Sequence, residues 1–442
     1  MWHKNKLQRE QKRLQKLMSS RSRFIQLIHF FSFIGMILLI SVNIRSVEAY
    51  ASTDTFAMNR EGTYVIYSLR GGRNHWLNPE IITEWSQLKQ LHAPYRYGYE
   101  FEGWYLDPDF TVRADRFQSG YTDVIMLYAK WNDDIDNVFN VENYSYMASM
   151  EPEKNTRRLK DLQYDFVDEV KIPGMPSTQN DEWLNQFIYS QSQVPQGIFI
   201  TDDYYLITSY SEEDTCMGEL LVFNKQTGKL LVTLGMDAKS HLGGIAFDGE
   251  NVWVCNSNNK TIERLSYDFI KLMAESNTGD VVDCTGIVDA FSVSNTPSCI
   301  TYYGGRLWIA THNLLLNSQV VAYYYNESEN KLHALSSYAI PPQVQGIAFD
   351  QDGRVYLSTS YGRTKSSYLK VYDSAIVMSN KPDRPSLNIE MPPNSEEIDI
   401  VEDRLYVLFE SAGEKYYLGT DGKGRSSCPL DKVLSIDLHS MK

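Results

Sequence analysis

A mainly β protein that ends in a five-bladed β-propeller is predicted by three features of the sequence. One phrase is stated twice: Pro195–Tyr210 (PQGIFITDDYYLITSY) and Val344–Tyr361 (VQGIAFDQDGRVYLSTSY) both open on Gln-Gly-Ile and close on Thr-Ser-Tyr. Weaker copies start at Leu242, Pro297 and Glu396, so the five starts are separated by 47, 55, 47 and 52 residues. Periods near fifty, each made of short strands, mark propeller blades. The composition agrees: 30 Tyr, with frequent Ser and Thr, favour sheet over helix.

Each copy reads as two apolar strands around a turn. Asp202-Asp203, Gly249-Glu250, Gly304-Gly305, Gln351–Gly353 and Glu402-Asp403 supply the turn residues. In the first copy the spacing predicts strands at Gly197–Ile200, Tyr204–Ser209, Glu219–Phe223 and Lys229–Thr233. The last copy lacks an outer strand, because the chain stops soon after Lys432–Leu438. Asp168–Pro173 resembles the outer-strand ends Ser337–Pro341 and Leu387–Pro392, so it is expected to complete the last blade and close the ring. A six-bladed alternative needs a further blade within 132–190, where there are too few strands. Residues 179–190 are expected as a short helix over one face.

The net charge of −14 hides an asymmetry. Residues 1–23 carry eight Lys and Arg against Glu10, about +7, which leaves about −21 for the rest. An acidic body argues against nucleic acid as a partner. Phe24–Val42 is the one strongly apolar run, 19 residues long and basic on one side only. It is expected to leave 1–23 in the cytosol and export the remainder, to the outer face of the cell envelope. Two readings stand: a signal peptide cleaved at Ala49-Tyr50-Ala51, or an uncleaved signal-anchor helix holding the protein in the membrane. The five cysteines show no disulfide framework and no zinc-ligand spacing.

Residues 61–131 read as a small α+β module. Tyr64–Leu69, Tyr99–Tyr105 and Val124–Trp131 alternate like strands, and Pro79–Leu91 carries apolar residues at near-helical spacing. Three blocks in order, Tyr67–Gly72, Gly98–Tyr105 and Leu127–Trp131, resemble the Listeria–Bacteroides repeat, the internalin B-repeat, over about 64–131. The resemblance implies a β-grasp-like module of bacterial surface proteins, used for spacing or protein contact, with Trp104 and Trp131 in its core. Residues 132–164 are polar and acidic and read as a linker, and 165–442 hold the propeller.

In a propeller the first strand of each blade lines the centre, where ligands bind. The polar positions at those strand starts are Gln196, His241, Ser298, Gln345 and Glu397, which form the candidate ligand-binding set. His241 and Glu397 are also the candidates for acid–base catalysis. The blade pattern resembles lactonase-like and NHL-like propellers, a generic likeness whose enzymes use carboxylate and Asn or His/Glu sets; here that set is incomplete. No Ser-His-Asp arrangement, phosphate loop or metal-spaced His pair occurs, and no metal or cofactor is expected. The leading expectation is a surface protein whose propeller binds a protein or glycan. A lactonase-like hydrolase or lyase is the alternative, and a structural scaffold the third reading.

Overall fold

The computed structural model describes residues 62–70, 72, 74–94, 96, 100–117, 123–132, 141, 144, 155–172, 175, 193–211, 217–236, 241–276 and 281–441. The expected export segment 24–42, residues 1–23, the expected helix 179–190 and Cys216 lie outside these residues. Among the described residues no helix is long and apolar enough to cross a membrane. The protein is mainly β and its strands are distributed over several sheets.

The first sheet is four-stranded, ordered Ile81–Ile82, Thr63–Ser68, Val124–Trp131, Phe101–Tyr105. Its two central strands are parallel, with Tyr64 opposite Val124 and Ile66 opposite Met126. The helix expected over Pro79–Leu91 contracts to one 3-10 stretch, Trp85–Gln90. A capping box explains where it starts: Gln87 Oε1 accepts the backbone N–H of Glu84 at 3.0 Å. Val65, Ile125, Leu127, Ala129 and Trp131 are buried on one face of the sheet. The indole N–H groups of Trp104 and Trp131 donate to His92 O and Leu69 O. Alternation leaves Tyr64, Ile66, Val124 and Met126 exposed on the opposite face.

Five further sheets follow, here called I to V. Sheet I contains Gln193–Ile200, Tyr204–Ser211, Glu219–Asn224 and Leu230–Gly235, with Val281–Asp283 parallel at its edge. Sheet II contains Ile245–Phe247, Asn251–Asn256, Thr261–Ser266 and Asp289–Ser292. Sheet III contains Cys299–Tyr303, Arg306–Ala310, Ser318–Asn326 and Lys331–Ile340. Sheet IV contains Val344–Phe349, Val355–Thr359, Ser367–Tyr372 and Leu387–Met391, with Thr156–Arg158 parallel at its edge. Sheet V contains Ser395–Val401, Arg404–Phe409 and Val433–Asp437, and its outer strand is Tyr164–Val167.

That outer strand was expected at 168–173 and lies just before it. Val167 pairs with Val433 in the last rung of the ladder. Beyond that rung Asp168 pairs with Lys432, and Val170 and Ile172 leave the ladder to fill the core between sheets I and V. Part of the expected linker is also packed. Val141, Tyr144, Leu159 and Leu162 sit in the core shared by sheets IV and V, and the Tyr144 hydroxyl lies 2.6 Å from that of Ser366.

The turns follow the residues that favour them. Gly304 and Gly305, both at positive φ, make the two-residue turn of sheet III. In sheets II and IV the Asp248 and Asp350 carboxylates accept backbone N–H groups of their own turns.

The first strands contact one another in a cycle, I to II, II to III, III to IV, IV to V and V back to I. One step recurs in each: Gly197-Ile198, Gly244-Ile245, Cys299-Ile300, Gly346-Ile347 and Glu397-Ile398. The five isoleucines are aligned by register, opposite Ile207, Val254, Ile309, Leu357 and Val407. The glycines are there for lack of room. A Cβ on Gly346 would lie 2.8 Å from Glu396 O and from Glu397 Cα, and one on Gly244 would lie 2.7 Å from Cys299 Cα. These neighbours are backbone and cannot swing aside.

Gly346→Ala should therefore cost about 3 kcal/mol of stability through overpacking. Gly286→Ala, where nothing lies within 4 Å, should change it by no more than about 0.5 kcal/mol. Denaturant midpoints of the two variants check this, and equal losses would contradict the packing account.

Candidate functional site

Where the first strands begin, polar side chains from sheets I, IV and V converge on two carboxyl groups. Glu396 opens the first strand of sheet V and Glu410 follows its second strand, and both are buried. Gln196 of sheet I donates from Nε2 to Glu410 Oε2 at 2.9 Å. Asn394 Nδ2 donates to the other oxygen, Oε1, at 3.1 Å. Gln345 of sheet IV donates to Glu396 Oε1 at 2.9 Å. The two carboxyl groups are electrostatic neighbours, and Tyr416 interacts with both.

Burial holds the Glu396 carboxyl well above the usual carboxylate range. The neighbouring Glu410 charge adds to the rise, while the Gln345 bond and the Lys415 charge oppose it. Burial and Glu410 likewise push the Tyr416 phenol up.

An aromatic and cationic layer adjoins the pair. Lys415 and Tyr416 belong to the short helix Glu414–Tyr417. Lys415 Nζ bonds to the Tyr210 hydroxyl and lies 4.7 Å from the centre of that ring. His241 stacks on Tyr210 with ring centres 4.1 Å apart. Arg363 of the Tyr361–Lys365 loop lies over the Tyr416 ring at 4.6 Å, donates to Lys415 O at 2.8 Å and pairs with Asp421. The helix is thereby held from both sides, with the exposed edge of the layer at His241.

The candidates read from sequence separate into three groups. Gln196 and Gln345 meet at the carboxyl pair, and His241 joins them through Tyr210 and Lys415. Ser298 lies apart: its hydroxyl oxygen accepts the backbone N–H of His312 at 3.0 Å. Glu397 turns away from the pair. Its Oε1 accepts the N–H of Ile347 at 3.1 Å, and its Oε2 lies 2.4 Å from where a Cβ of Gly244 would stand. Burial pushes its carboxyl well above the usual range, against the pull of its backbone bonds. Two residues along the strand, Asp399 accepts the N–H of Ile200 at 2.8 Å, and burial lifts it to about 6. Both are acceptors for N–H groups of other first strands.

Glu396, Glu410, Asn394, Lys415 and Tyr416 were not among the candidates. Aligning the five copies on their isoleucines reveals Glu396, since it then falls on the position of Gln196 and Gln345, one residue before Glu397. A one-residue slip moves a side chain to the other face of a strand. Nothing local marks Lys415 and Tyr416, which reach the site from a connection between strands. Among the described residues no group of three or more His, Cys, Asp or Glu could hold a metal ion. The four described cysteines, Cys255, Cys284, Cys299 and Cys428, are free and buried.

The described fold defines a multi-sheet, mainly β protein with a carboxyl pair where sheets I and V meet. Residues 64–130 match the family described as the Listeria-Bacteroides repeat domain. No curated protein matches the chain. Among solved structures, a glutaminyl cyclase of Myxococcus xanthus is similar at 8% identity and a TM-score of 0.35, over 57% of this chain and 92% of that one. A hydrazine synthase of Kuenenia stuttgartiensis is similar at 12% identity and a TM-score of 0.30, over 48% of this chain and 55% of that one. A nidogen/laminin complex gives 15% identity and a TM-score of 0.34, over 57% of this chain and 79% of that one. At such scores these likenesses define neither fold nor activity.

A carboxyl whose folded-state pKa is raised contributes stability below its ordinary range, and that contribution is lost as pH rises through the raised value. For Glu396 the loss begins above the unfolded value, about 4.3. Thermal unfolding should show the native protein losing stability as pH increases from about 5. Glu396→Gln, neutral at every pH and still able to accept from Gln345, should flatten that decline and be the more stable protein at alkaline pH. Identical slopes would place the pH dependence elsewhere.

Proposed function

We propose that this chain is an exported cell-surface protein in which a β-grasp-like repeat module precedes a five-bladed β-propeller. The propeller binds a glycan or protein partner on the face that carries the Glu396–Glu410 pair. Surface location is supported by the repeat match at 64–130, since such domains are typically found in extracellular or surface proteins. The five-bladed reading is supported by five successive sheets whose first strands contact in a cycle, the last completed by an N-terminal strand.

One observation carries the binding reading. Amide, phenol, ammonium and imidazole groups from sheets I, IV and V and from connecting segments come together around one buried pair, with the Tyr210–His241 stack at their edge. Hydroxyl-rich ligands are recognised by such donors and acceptors, and sugar rings pack on flat aromatic surfaces. The outer members, Gln345 and His241, are only partly buried or exposed, so a partner can reach them. An adjoining cation, Lys415, suits an acidic glycan or a carboxylate-bearing peptide.

The hydrolase or lyase reading has one observation in its favour. Burial and the neighbouring Glu410 hold the Glu396 carboxyl well above the usual range, the direction a general acid needs. Both carboxyl groups are buried and bonded to amides, which favours binding over turnover.

A glycan and peptide array probed with the full chain tests the proposal. Selective binding is expected, and Gln345→Ala together with His241→Ala should weaken it by at least about tenfold, an amount typical of losing interface polar contacts. Unchanged binding by that double variant would remove the site from this face. Glu396→Gln should leave binding within about threefold, since a neutral amide replaces a protonated carboxyl; loss of a detected bond-cleaving activity in this variant alone would favour the enzyme reading instead.

A further inference from the structure

We infer that a monovalent metal cation binds within sheet I, held by oxygen atoms of Glu219, Thr233, Gln193 and Ser209. These residues share one face of the sheet, the face packed toward sheet V. Ser209 is opposite Glu219, and Gln193, opposite Ser211 two residues along the same face, is reached by the Ser209 hydroxyl. Thr233 is opposite Leu221, the next residue on the Glu219 face, so it lies on the neighbouring rung. Side chains in such positions have Cβ atoms roughly 4.5–8 Å apart, within a glutamate's reach.

Their surroundings leave two oxygen atoms unsatisfied. All four side chains are at most 1% exposed. Ser209 Oγ donates to Gln193 Oε1 at 2.8 Å, and Gln193 Nε2 donates to Met217 O at 3.2 Å. Neither Glu219 Oε2 nor Thr233 Oγ1 has any hydrogen-bond partner. Two orphaned oxygens at 0–1% exposure on one face of one sheet are rare, because each costs the full desolvation of a polar group. Burial alone pushes the Glu219 carboxyl up to about 8, a sign that nothing in the chain balances its charge.

The donor set selects the occupant. It is made of carboxylate, hydroxyl and amide oxygens, which suit a hard cation. It contains a single carboxylate, so one positive charge neutralises it. A divalent ion would leave an unbalanced charge in a buried site. Met217 packs beside this rung: its sulfur lies 2.4 Å from where a Cβ of Gly235, opposite Glu219, would stand. The site is distinct from the Glu396–Glu410 pair and does not depend on the binding proposal above.

Thermal unfolding of the full chain in sodium, potassium and N-methylglucamine chlorides at equal ionic strength tests the assignment. The organic cation is too large for the site. At a concentration about a hundredfold above Kd, sodium or potassium should raise Tm by roughly 4–8 °C over N-methylglucamine. The rise should saturate, be lost in Glu219→Gln, and shrink in the near-isosteric Thr233→Val. Rubidium soaked into crystals should give an anomalous peak beside Glu219. Equal Tm in the three salts, or a rise retained by Glu219→Gln, would overturn the assignment and leave a protonated carboxyl with a buried water.

Discussion

Everything in the large β region depends on how closely its first strands approach at the Gly-Ile step. Backbone presses on backbone there, with the would-be Cβ positions of Gly244 and Gly346 less than 3 Å from the neighbouring chain. Strands that meet this closely leave no space for side chains of their own, and their outward N–H groups have no ladder partner. A buried N–H without an acceptor is costly. The chain meets this need from the fifth copy, where Glu397 replaces the glycine and Asp399 follows two residues later. Their carboxylates accept from Ile347 and Ile200, on the first strands of two other sheets. The departure from the repeat at Glu397 thus supplies an acceptor to the first strand of sheet IV.

The same geometry separates structure from function at neighbouring residues. Glu397 and Glu396 are consecutive, and the strand is irregular between Ser395 and Ile398, so both are buried but in different surroundings. Glu397 meets backbone. Glu396 meets Gln345, Glu410 and the Lys415 layer, which are side chains with exchangeable partners. A group bonded to backbone can change only if the fold changes. A group bonded to side chains can exchange those partners for a ligand's, and this is why the proposed binding face is drawn around Glu396.

Much of the architecture was legible because it repeats. Gln-Gly-Ile and Thr-Ser-Tyr bracket two strands and a turn, and turn residues such as Gly304-Gly305 dictate backbone conformations that few other residues adopt. The outer strand of sheet V was missed by a few residues, because 168–173 and 164–167 are both apolar alternations. Only the pairing of Val167 with Val433 decides between them. The site was half legible. Gln196, Gln345 and Glu410 stand at repeated strand ends, whereas Lys415 and Tyr416 arrive through a connection that has no counterpart in the other copies. The Glu219 cluster was not legible at all. Its members are Gln, Ser, Glu and Thr scattered over four strands, and only the register brings them together.

Two kinds of buried carboxyl therefore coexist, and the difference lies in what surrounds them. Around Glu396 and Glu410 the amides of Gln196, Gln345 and Asn394 supply donors, so the pair is stable with a retained proton and without any added group. Around Glu219 the polar groups satisfy one another and leave the carboxyl oxygen out. Hydrogen bonding to a charged group stabilises it, and desolvation without such bonds does the opposite. An internal carboxyl in that setting either keeps its proton or takes a counter-charge. The open Thr233 hydroxyl beside it supplies a second oxygen that a proton on Glu219 has not engaged, and this tips the balance toward a cation.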